Sequence, residues 1–300
     1  MQGVITKTQS GFYTVEAESG IYVCQLRGKL KRGKPMGDIA AVGDQVDISV
    51  INKETGVIEE VQPRRSSFIR LAPTPKGEYQ QVIISNLDLA VFVFSCAKPA
   101  PRLSMLDRFL VIAEKNQVSC LILANKIDLV SKKEAGSYFQ RYKKIGYKLL
   151  YTSAKTGVGI KKLKKMLQGR ISLFTGPSGG GKSSLLNKVQ PGLGLQVKSV
   201  SRATEKGRHT TVAREMYSLD GGGYIADTPG LKALSMFDVE PEELDGYFPE
   251  MRNLVENCAF SDCTHYHEPD CAIQDAVDTG MIHPERYISY LKMRFEEEIE

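Results

Sequence analysis

The sequence predicts three domains: an N-terminal antiparallel β-barrel of the OB-like type, a central α/β domain with a parallel sheet, and a C-terminal α-helical domain. Short alternating segments, separated by glycine-containing turns, indicate the barrel over residues 1–65. Apolar strands separated by helical patterns indicate the α/β domain over residues 81–231. Residues 232–300 are acidic and helical in pattern, and we expect residues 66–80, with mixed charge and two prolines, to be a linker.

The barrel carries a basic loop between two of its predicted strands. The stretch RGKLKRGK holds five cations in eight residues, namely Arg27, Lys29, Lys31, Arg32 and Lys34. OB-type folds bind nucleic-acid backbones with such loops, so we expect these residues to contact RNA. An ordinary solvated hairpin loop is the alternative.

The overall composition is that of a globular protein, with 42% apolar and 25% charged residues in 300. No apolar run is long enough for a membrane span, and the N-terminus lacks a signal-peptide pattern, so we expect a cytoplasmic protein without a membrane partner. We also expect a monomer. The charge is uneven: residues 131–170 hold twelve Lys or Arg and one acid, whereas residues 231–300 hold five bases and seventeen acids. The basic segment is either a set of solvated helix faces or a surface for a polyanion.

The stretch GPSGGGKS, residues 176–183, predicts a phosphate-binding loop between an apolar strand and a helix. This is the context in which the motif G-x-x-x-x-G-K-[ST] forms a nucleotide site. Lys182 would reach the β- and γ-phosphates, and the hydroxyl of Ser183 would bind Mg²⁺. The candidate nucleotide-binding residues are Gly176, Pro177, Ser178, Gly179, Gly180, Gly181, Lys182, Ser183 and Ser184.

A second phosphate-linked element is DTPG, residues 227–230, which ends another apolar strand. Asp227 would act through the Mg²⁺ shell, and the backbone N–H of Gly230 would sense the γ-phosphate. Between the two elements lies a polar, glycine-containing loop, residues 199–216. Either Thr210 or Thr211 in this loop would supply a further hydroxyl to Mg²⁺, and the sequence leaves that choice open.

The base-reading residues precede the phosphate loop along the chain. In NKID, Asp128 can accept hydrogen bonds from guanine N1–H and N2–H₂, Asn125 supports the loop, and Lys126 lays its stem along the ring. In SAK, the backbone N–H groups of Ser153, Ala154 and Lys155 can approach O6. This pair indicates GTP rather than ATP. A parallel sheet assembles its site at the carboxyl ends of its strands whatever their order, so the order predicts a circularly permuted P-loop GTPase domain.

A cluster of metal-ligand residues lies near the C-terminus, in CAFSDCTHYHEPDC. Cys258, Cys263 and Cys271 with one histidine, His265 or His267, make up the donor set of a closed tetrahedral Zn²⁺ site. The competing interpretation is disulfides, which a reducing compartment and an odd number of cysteines disfavour. We expect one structural zinc ion that folds the C-terminal domain.

The order NKID–SAK–GPSGGGKSS–GRHTT–DTPG, followed by the cysteine cluster, closely resembles the bacterial ribosome small subunit-dependent GTPase A family (RsgA, also called YjeQ or YloQ). The resemblance covers the whole chain. It implies a GTPase that binds the small ribosomal subunit and its rRNA, acts late in the maturation of that subunit and is stimulated by it. The family pattern also favours His265 as the zinc ligand.

Hydrolysis raises a separate question, because Leu231 lies where many GTPases have a water-positioning glutamine. We therefore expect slow intrinsic turnover of GTP to GDP and phosphate. The family implies His209 as the catalytic group, beside Lys182 and Gly230, while an arginine finger could come from Arg202, Arg208 or Arg214. Two other functions stay open: an RNA-binding scaffold with a structural nucleotide, and a P-loop enzyme that uses ATP.

Overall fold

The computed structural model describes residues 1–31, 37–74, 77–194, 214–227 and 239–295. Its secondary structure follows the three predicted regions, with a barrel first, a mostly parallel sheet flanked by helices second, and a compact helical region last. Among the described residues, no helix has the length and apolar character needed to cross a membrane.

The N-terminal barrel has five strands that close on themselves in the order β1-β2-β3-β5-β4-β1. Its apolar side chains alternate inward and form a separate core around Ile5, Val15, Cys24, Val46 and Ile58. The strands are β1 (Gln2–Gln9), β2 (Phe12–Ala17), β3 (Gly20–Leu26), β4 (Gln45–Val50) and β5 (Thr55–Val61).

The barrel differs from the expected all-antiparallel arrangement at one pairing, because β3 and β5 run parallel. The cause is the position of β4, which follows β3 along the chain but pairs with β1 and β5 instead of β3. β4 and β5 then form an antiparallel hairpin, and β5 closes the gap beside β3.

The segment expected to be a linker is instead a paired hairpin. β6 (Ser67–Thr74) and β7 (Gly77–Ser85) form a two-stranded antiparallel sheet of their own. The hairpin is fixed to the barrel, since Ser85 N donates to Val42 O and Asn86 Nδ2 donates to Gly43 O. Mixed charge and prolines are therefore compatible here with a two-stranded ribbon.

The central sheet is parallel in the order β10-β9-β8-β11-β13, with β12 added antiparallel at one edge. Its strands are nearly all apolar because helices cover both faces. They are β8 (Leu89–Ser95), β9 (Cys120–Asn125), β10 (Lys148–Tyr151), β11 (Ile171–Thr175), β12 (Arg214–Ser218) and β13 (Tyr224–Asp227). Helices α1 (Leu103–Lys115) and α2 (Lys132–Ile145) pack on one face, and α3 (Ile160–Leu167) and α4 (Lys182–Val189) on the other.

The barrel and the central sheet are joined edge to edge. β12 pairs antiparallel with β1 through Lys7 with Glu215 and Thr8 with Arg214, and the Lys7 ammonium lies 3.4 Å from the Glu215 carboxylate. One backbone hydrogen-bonded surface therefore runs from the barrel to the nucleotide-binding sheet.

The C-terminal region packs against α1. Its regular elements are two 3₁₀ helices (Pro241–Tyr247 and Val255–Asn257), α5 (Ala272–Asp278) and α6 (Pro284–Arg294). Val111 of α1 lies in the same apolar cluster as Phe248, Met251 and Tyr290. The expected helical character is correct, although much of the region is 3₁₀ helix and turn.

A buried ion-pair network fixes this packing. The Arg286 guanidinium, 1% exposed, donates to Asp107 Oδ1 at 2.7 Å and to Glu250 Oε1 at 2.6 Å. Tyr142 Oη donates to the same Asp107 oxygen at 2.8 Å, and the guanidinium carbon lies 4.4 Å from the centre of the Phe248 ring. Three separate segments of the chain therefore meet on one arginine.

Replacing Arg286 by Met is expected to lower the free energy of unfolding by about 3–5 kcal/mol, because Asp107 and Glu250 would stay buried without a counter-charge. Urea unfolding of both proteins measures the difference. Arg252→Met is the matched control: Arg252 also bridges these two regions, to Glu114 at 3.5 Å, but it is half-exposed. We expect less than about 1 kcal/mol there, and equal losses in the two variants would contradict a special role for Arg286.

Candidate nucleotide and metal sites

The phosphate loop connects β11 to α4 and is shaped by glycines. Gly176 and Gly181 have φ of +142° and +93°, which side-chain-bearing residues rarely adopt. A Cβ on Gly176 would lie 2.2 Å from Val93 O, and one on Gly180 would lie 2.8 Å from the same oxygen. The glycines thus let the loop lie directly against the end of β8, with its amides at the N-terminus of α4.

Lys182 is the first residue of α4, and its ammonium lies inside the loop. Its Nζ donates to the carbonyls of Gly176 at 2.7 Å and Pro177 at 3.0 Å. Ser183 and Ser184 follow in the first turn of the helix, and both are partly buried. The positive charge and the helix N-terminus therefore coincide at one point, an arrangement that binds phosphate.

The base-reading and phosphate loops contact each other through Asn125. Its side chain, 1% exposed, donates from Nδ2 to Gly180 O at 2.9 Å and accepts from Thr152 Oγ1 at 3.2 Å. A Cβ on Gly181 would lie only 2.3 Å from Asn125 Nδ2, so the third glycine of the GGG run is required for this contact. Residues 125 and 180, far apart in the sequence, are locked together at the carboxyl edge of the sheet.

Asp128 and Ser153, both predicted to lie at the guanine base, are side by side in the structure. Ser153 Oγ donates to Asp128 Oδ1 at 2.6 Å and accepts from the backbone N–H of Thr156 at 3.1 Å. The parallel pairing of β9 with β10 puts NKID and SAK at adjacent strand ends. Asp128 is exposed and therefore accessible to a base, while Ser153 is buried.

Lys126 is the NKID residue predicted to lie along the base. It adopts a left-handed backbone with φ of 60°, and its Nζ donates to the carbonyl of Lys98. Partial burial lowers the pKa of Lys126, with Asp128 acting in the opposite direction. Its stem reaches toward the phosphate loop, since a Cβ on Gly181 would lie 3.8 Å from Lys126 Cε.

The predicted second phosphate-linked element follows β13, the strand next to the one that leads into the phosphate loop. β13 runs parallel to β11 with Asp227 opposite Phe174, two residues before Gly176. Residues 228–238 are outside the described part of the chain, and with them Gly230 and Leu231. The same holds for Thr210, Thr211, His209, Arg202 and Arg208, and in the barrel for Arg32 and Lys34.

The remaining residues of the predicted RNA loop begin at the end of β3. Arg27 donates to Glu59 Oε1 at 2.5 Å, while Lys29 and Lys31 are exposed on a 3₁₀ turn (Gly28–Lys31). The predicted RNA loop therefore begins as a helical turn that presents Lys29 and Lys31 to solvent.

The cysteine cluster is a compact donor set. The ligand atoms of Cys258, Cys263, His265 and Cys271 all lie within 4.8 Å of one another. Cys258 Sγ and Cys271 Sγ are 4.0 Å apart, and His265 Nδ1 is 3.6 and 3.4 Å from them. A tetrahedral zinc ion with ordinary bond lengths requires about 3.8 Å between two sulfurs and about 3.6 Å between nitrogen and sulfur. The four residues therefore fit a tetrahedral metal, and the structure includes His265, not His267, in the set.

Two carboxylates that the sequence did not reveal, Asp245 and Glu268, hydrogen-bond to the cluster and to the loop that carries it. Asp245 Oδ2 lies 3.2 Å from His265 Nε2, which leaves Nδ1 facing the sulfurs. Burial lowers the pKa of His265, but the bonds to Asp245 and Cys271 outweigh it and raise the pKa. Glu268 accepts hydrogen bonds from Thr264, Tyr266 and His267 and so fixes the ligand loop. Asp245 is 20 residues from His265, so no spacing rule could have identified it.

Known proteins resemble this chain over its whole length. Residues 61–237 match the RsgA GTPase family, and residues 2–58 match the RsgA N-terminal domain. A small ribosomal subunit biogenesis GTPase RsgA of Caldanaerobacter subterraneus subsp. tengcongensis is 41% identical over 293 residues, which cover 98% of this chain and 94% of that protein.

Two solved structures agree with the sequence matches. YjeQ from Thermotoga maritima superposes with a TM-score of 0.77 at 36% identity, over 98% of this chain and 97% of that one. YloQ, described as a circularly permuted GTPase, superposes with a TM-score of 0.75 at 32% identity, over 98% of this chain and 94% of that one. The permuted strand order, the joined nucleotide loops and these full-length matches together mean that the chain belongs to the RsgA GTPase family.

Proposed function

We propose that this protein hydrolyses GTP as a nucleotide-dependent switch in the late maturation of the small ribosomal subunit, and that it is stimulated by binding the subunit and its rRNA. The observation that carries the proposal is the Asn125 side chain, which joins the guanine-reading loop to the phosphate loop through its 2.9 Å bond to Gly180 O. Relatives aligned over the full length are named small ribosomal subunit biogenesis GTPases, which supports the choice of partner.

The nucleotide would bind across the carboxyl edge of the sheet. Asp128 would accept from the guanine N1–H and N2–H₂, and the SAK loop would donate to O6. Lys182 and the loop amides would hold the phosphates. Ser183 and either Thr210 or Thr211 would provide hydroxyl ligands for Mg²⁺, and Asp227 would act through the water shell of that ion. When bound, Mg²⁺ would neutralise charge that develops on the β- and γ-phosphate oxygens.

Intrinsic hydrolysis should be slow because a leucine at 231 cannot orient the attacking water. We infer that His209 performs this step, with Lys182 and the backbone N–H of Gly230 beside the γ-phosphate. Binding of the small subunit would order the loop that carries His209. A switch of this kind also requires that the subunit bind the GTP and GDP forms with different affinity.

The remaining regions would bind the partner. We infer that residues 1–65 contact RNA through Arg27, Lys29, Lys31, Arg32 and Lys34, that residues 81–231 bind the nucleotide, and that residues 232–300 form a domain folded by zinc. We further propose that the protein acts in the cytoplasm as a monomer. Phosphate contacts would make subunit binding fall steeply with salt.

Zinc is our assignment for the metal at Cys258, Cys263, His265 and Cys271, because three thiolates and one imidazole leave no open coordination position. Asp245→Asn should weaken zinc binding about 10- to 100-fold, since a carboxylate that accepts from the second histidine nitrogen orients the ring and raises its basicity. Competition with a zinc chelator measures the affinity. Glu243→Gln, in the same 3₁₀ helix, is the control, and equal affinities in both variants would argue against the role of Asp245.

The decisive experiment is GTP turnover by the purified protein with and without small ribosomal subunits, beside an ATP control. We expect slow turnover alone, strong stimulation by the subunit, and no turnover of ATP. Identical rates with and without subunits would reject the ribosome-dependent switch. Complete absence of turnover in both conditions would favour a scaffold that holds nucleotide structurally.

A further inference from the structure

The basic segment 131–170 is divided by the fold into two unlike halves. The half on α2 lies on the same side of the sheet as the acidic C-terminal region, and Arg141 donates to Glu285 there. Lys143 and Lys144 lie in the last turn of α2, where cations stabilise a helix. Arg141 is therefore paired, Lys143 and Lys144 lie where the helix dipole favours them, and Lys132 and Lys133 share the first turn with Glu134.

On α3, only Lys164 and Lys165 lie in a last turn where the helix dipole favours a cation, and the helix carries no acid of its own. α3 buries Ile160, Leu163 and Leu167 against the sheet and exposes Lys161, Lys162, Lys164 and Lys165. Within the described part of the chain, no carboxylate lies at ion-pair distance from these four lysines. We call their exposed side the α3 lysine face.

The α3 lysine face is unfavourable for the free protein. Lys161 and Lys162 lie at the helix N-terminus, where a positive charge opposes the helix dipole, and the first turn contains no acid. Lys161 also has Lys164 and Lys165 three and four residues later, spacings at which like charges repel. An anionic partner would remove both costs.

The surrounding surface extends this face. α3 and α4 pack side by side on the sheet face opposite α1, the helix that the C-terminal region covers. Lys188 is a further exposed cation on α4, the helix packed beside α3. The four α3 side chains include no aromatic ring, amide or guanidinium that could read a base edge, so the face suits a repeating backbone of phosphates.

We infer that the α3 lysine face is a docking surface for the phosphate backbone of ribosomal RNA, independent of RNA sequence. The inference rests on the proposed function, since it names a surface through which this GTPase would contact the small subunit. It is separate from the barrel loop, and it lies directly after the SAK loop, so RNA bound there would adjoin the guanine site.

The test compares two triple variants with the same change in charge: Lys161→Gln, Lys164→Gln and Lys165→Gln on α3, and Lys132→Gln, Lys133→Gln and Lys143→Gln on α2. Binding to purified small subunits is measured between 50 and 200 mM salt with a non-hydrolysable GTP analogue. Each lost phosphate contact lowers the slope of log K against log salt by about 0.7–0.9. Between 50 and 200 mM salt, the affinity of the α3 variant should therefore fall by a factor about 20- to 40-fold smaller than the factor for the unmodified protein. The α2 variant should show the same fall as the unmodified protein.

Each outcome decides the question. An equal change of slope in both variants would mean that only net charge matters. An unchanged slope in the α3 variant would mean that the α3 lysine face does not contact phosphate. Either result, with the unmodified protein still binding, overturns the inference. Failure of the unmodified protein to bind would overturn the proposed function, and the inference with it. The affinity for GTP shows whether the α3 triple variant is folded. If its GTP affinity falls, the single variant Lys164→Gln is used instead, and its expected change in slope is about 0.7–0.9. A photo-cross-linker at position 164 should attach to rRNA, and attachment only to ribosomal protein would overturn RNA as the partner.

Discussion

Asp128→Asn is expected to lower GTP affinity roughly 10²- to 10³-fold and to make XTP the preferred nucleotide. The carboxylate accepts from two guanine donors, whereas the asparagine amide would point a donor at one of them, a loss of about 3–4 kcal/mol. Xanthine has an oxygen at position 2 in place of the amino group, and this oxygen can accept from the new amide. Competition between GTP and XTP for binding measures the change.

Two further variants make this result specific. Ser153→Ala removes the 2.6 Å bond that holds Asp128 and should cost GTP affinity about 10-fold without favouring XTP. Asp278→Asn, an exposed residue at the end of α5, should change neither affinity. GTP preference that survived in the Asp128 variant would reopen the assignment of the base and return ATP or a base-independent site to consideration.

Loss of the metal is expected to have the second large effect. Cys271→Ser, or treatment with a strong chelator, should unfold the ligand region while the central domain still binds GTP. Structural zinc contributes about 10–16 kcal/mol of apparent binding free energy, which becomes folding free energy when the site does not exist in the unfolded chain. Zinc content and hydrogen exchange across residues 239–295 would report the loss.

The control for this experiment is His267→Ala. His267 is exposed and outside the donor set, so this variant should retain one zinc ion per chain and full protection of the region. A zinc-free His267 variant would show that the ligand is His267. Unchanged protection in the Cys271 variant would mean that Arg286 and the apolar cluster on α1 hold the region without the metal.

The chain path gives the metal region a direct connection to the nucleotide site. β13 ends at Asp227, and the 3₁₀ helix that carries Asp245 begins only fourteen residues later at Pro241. In an unpermuted order this segment would return to the nucleotide domain. Here it leads to the carboxylate that orients His265, and the barrel is joined at the other edge through β12.

The sequence by itself determined the parts of this protein whose chemistry is local. Each of the motifs spans fourteen residues or fewer: the glycine-rich loop, NKID, SAK, DTPG and the Cys/His cluster. The alternation of strands with helices predicted that the nucleotide motifs would meet at the carboxyl edge of the sheet. The barrel was predicted from local alternation for the same reason. The expected linker was the exception, since mixed charge and prolines do not exclude a two-stranded hairpin.

Only the tertiary structure decided how distant parts act together. Four contacts join residues that are 20 to 208 positions apart: Asn125 with Gly180, Asp245 with His265, the Arg286 network, and the pairing of β1 with β12. The fold also decided that Arg141 on α2 pairs with Glu285, while the α3 lysines have no carboxylate at ion-pair distance in the described part of the chain. Charge and hydrogen-bonding capacity are properties of a residue type, but the partner that satisfies them depends on the packing of the whole chain, which no local pattern records.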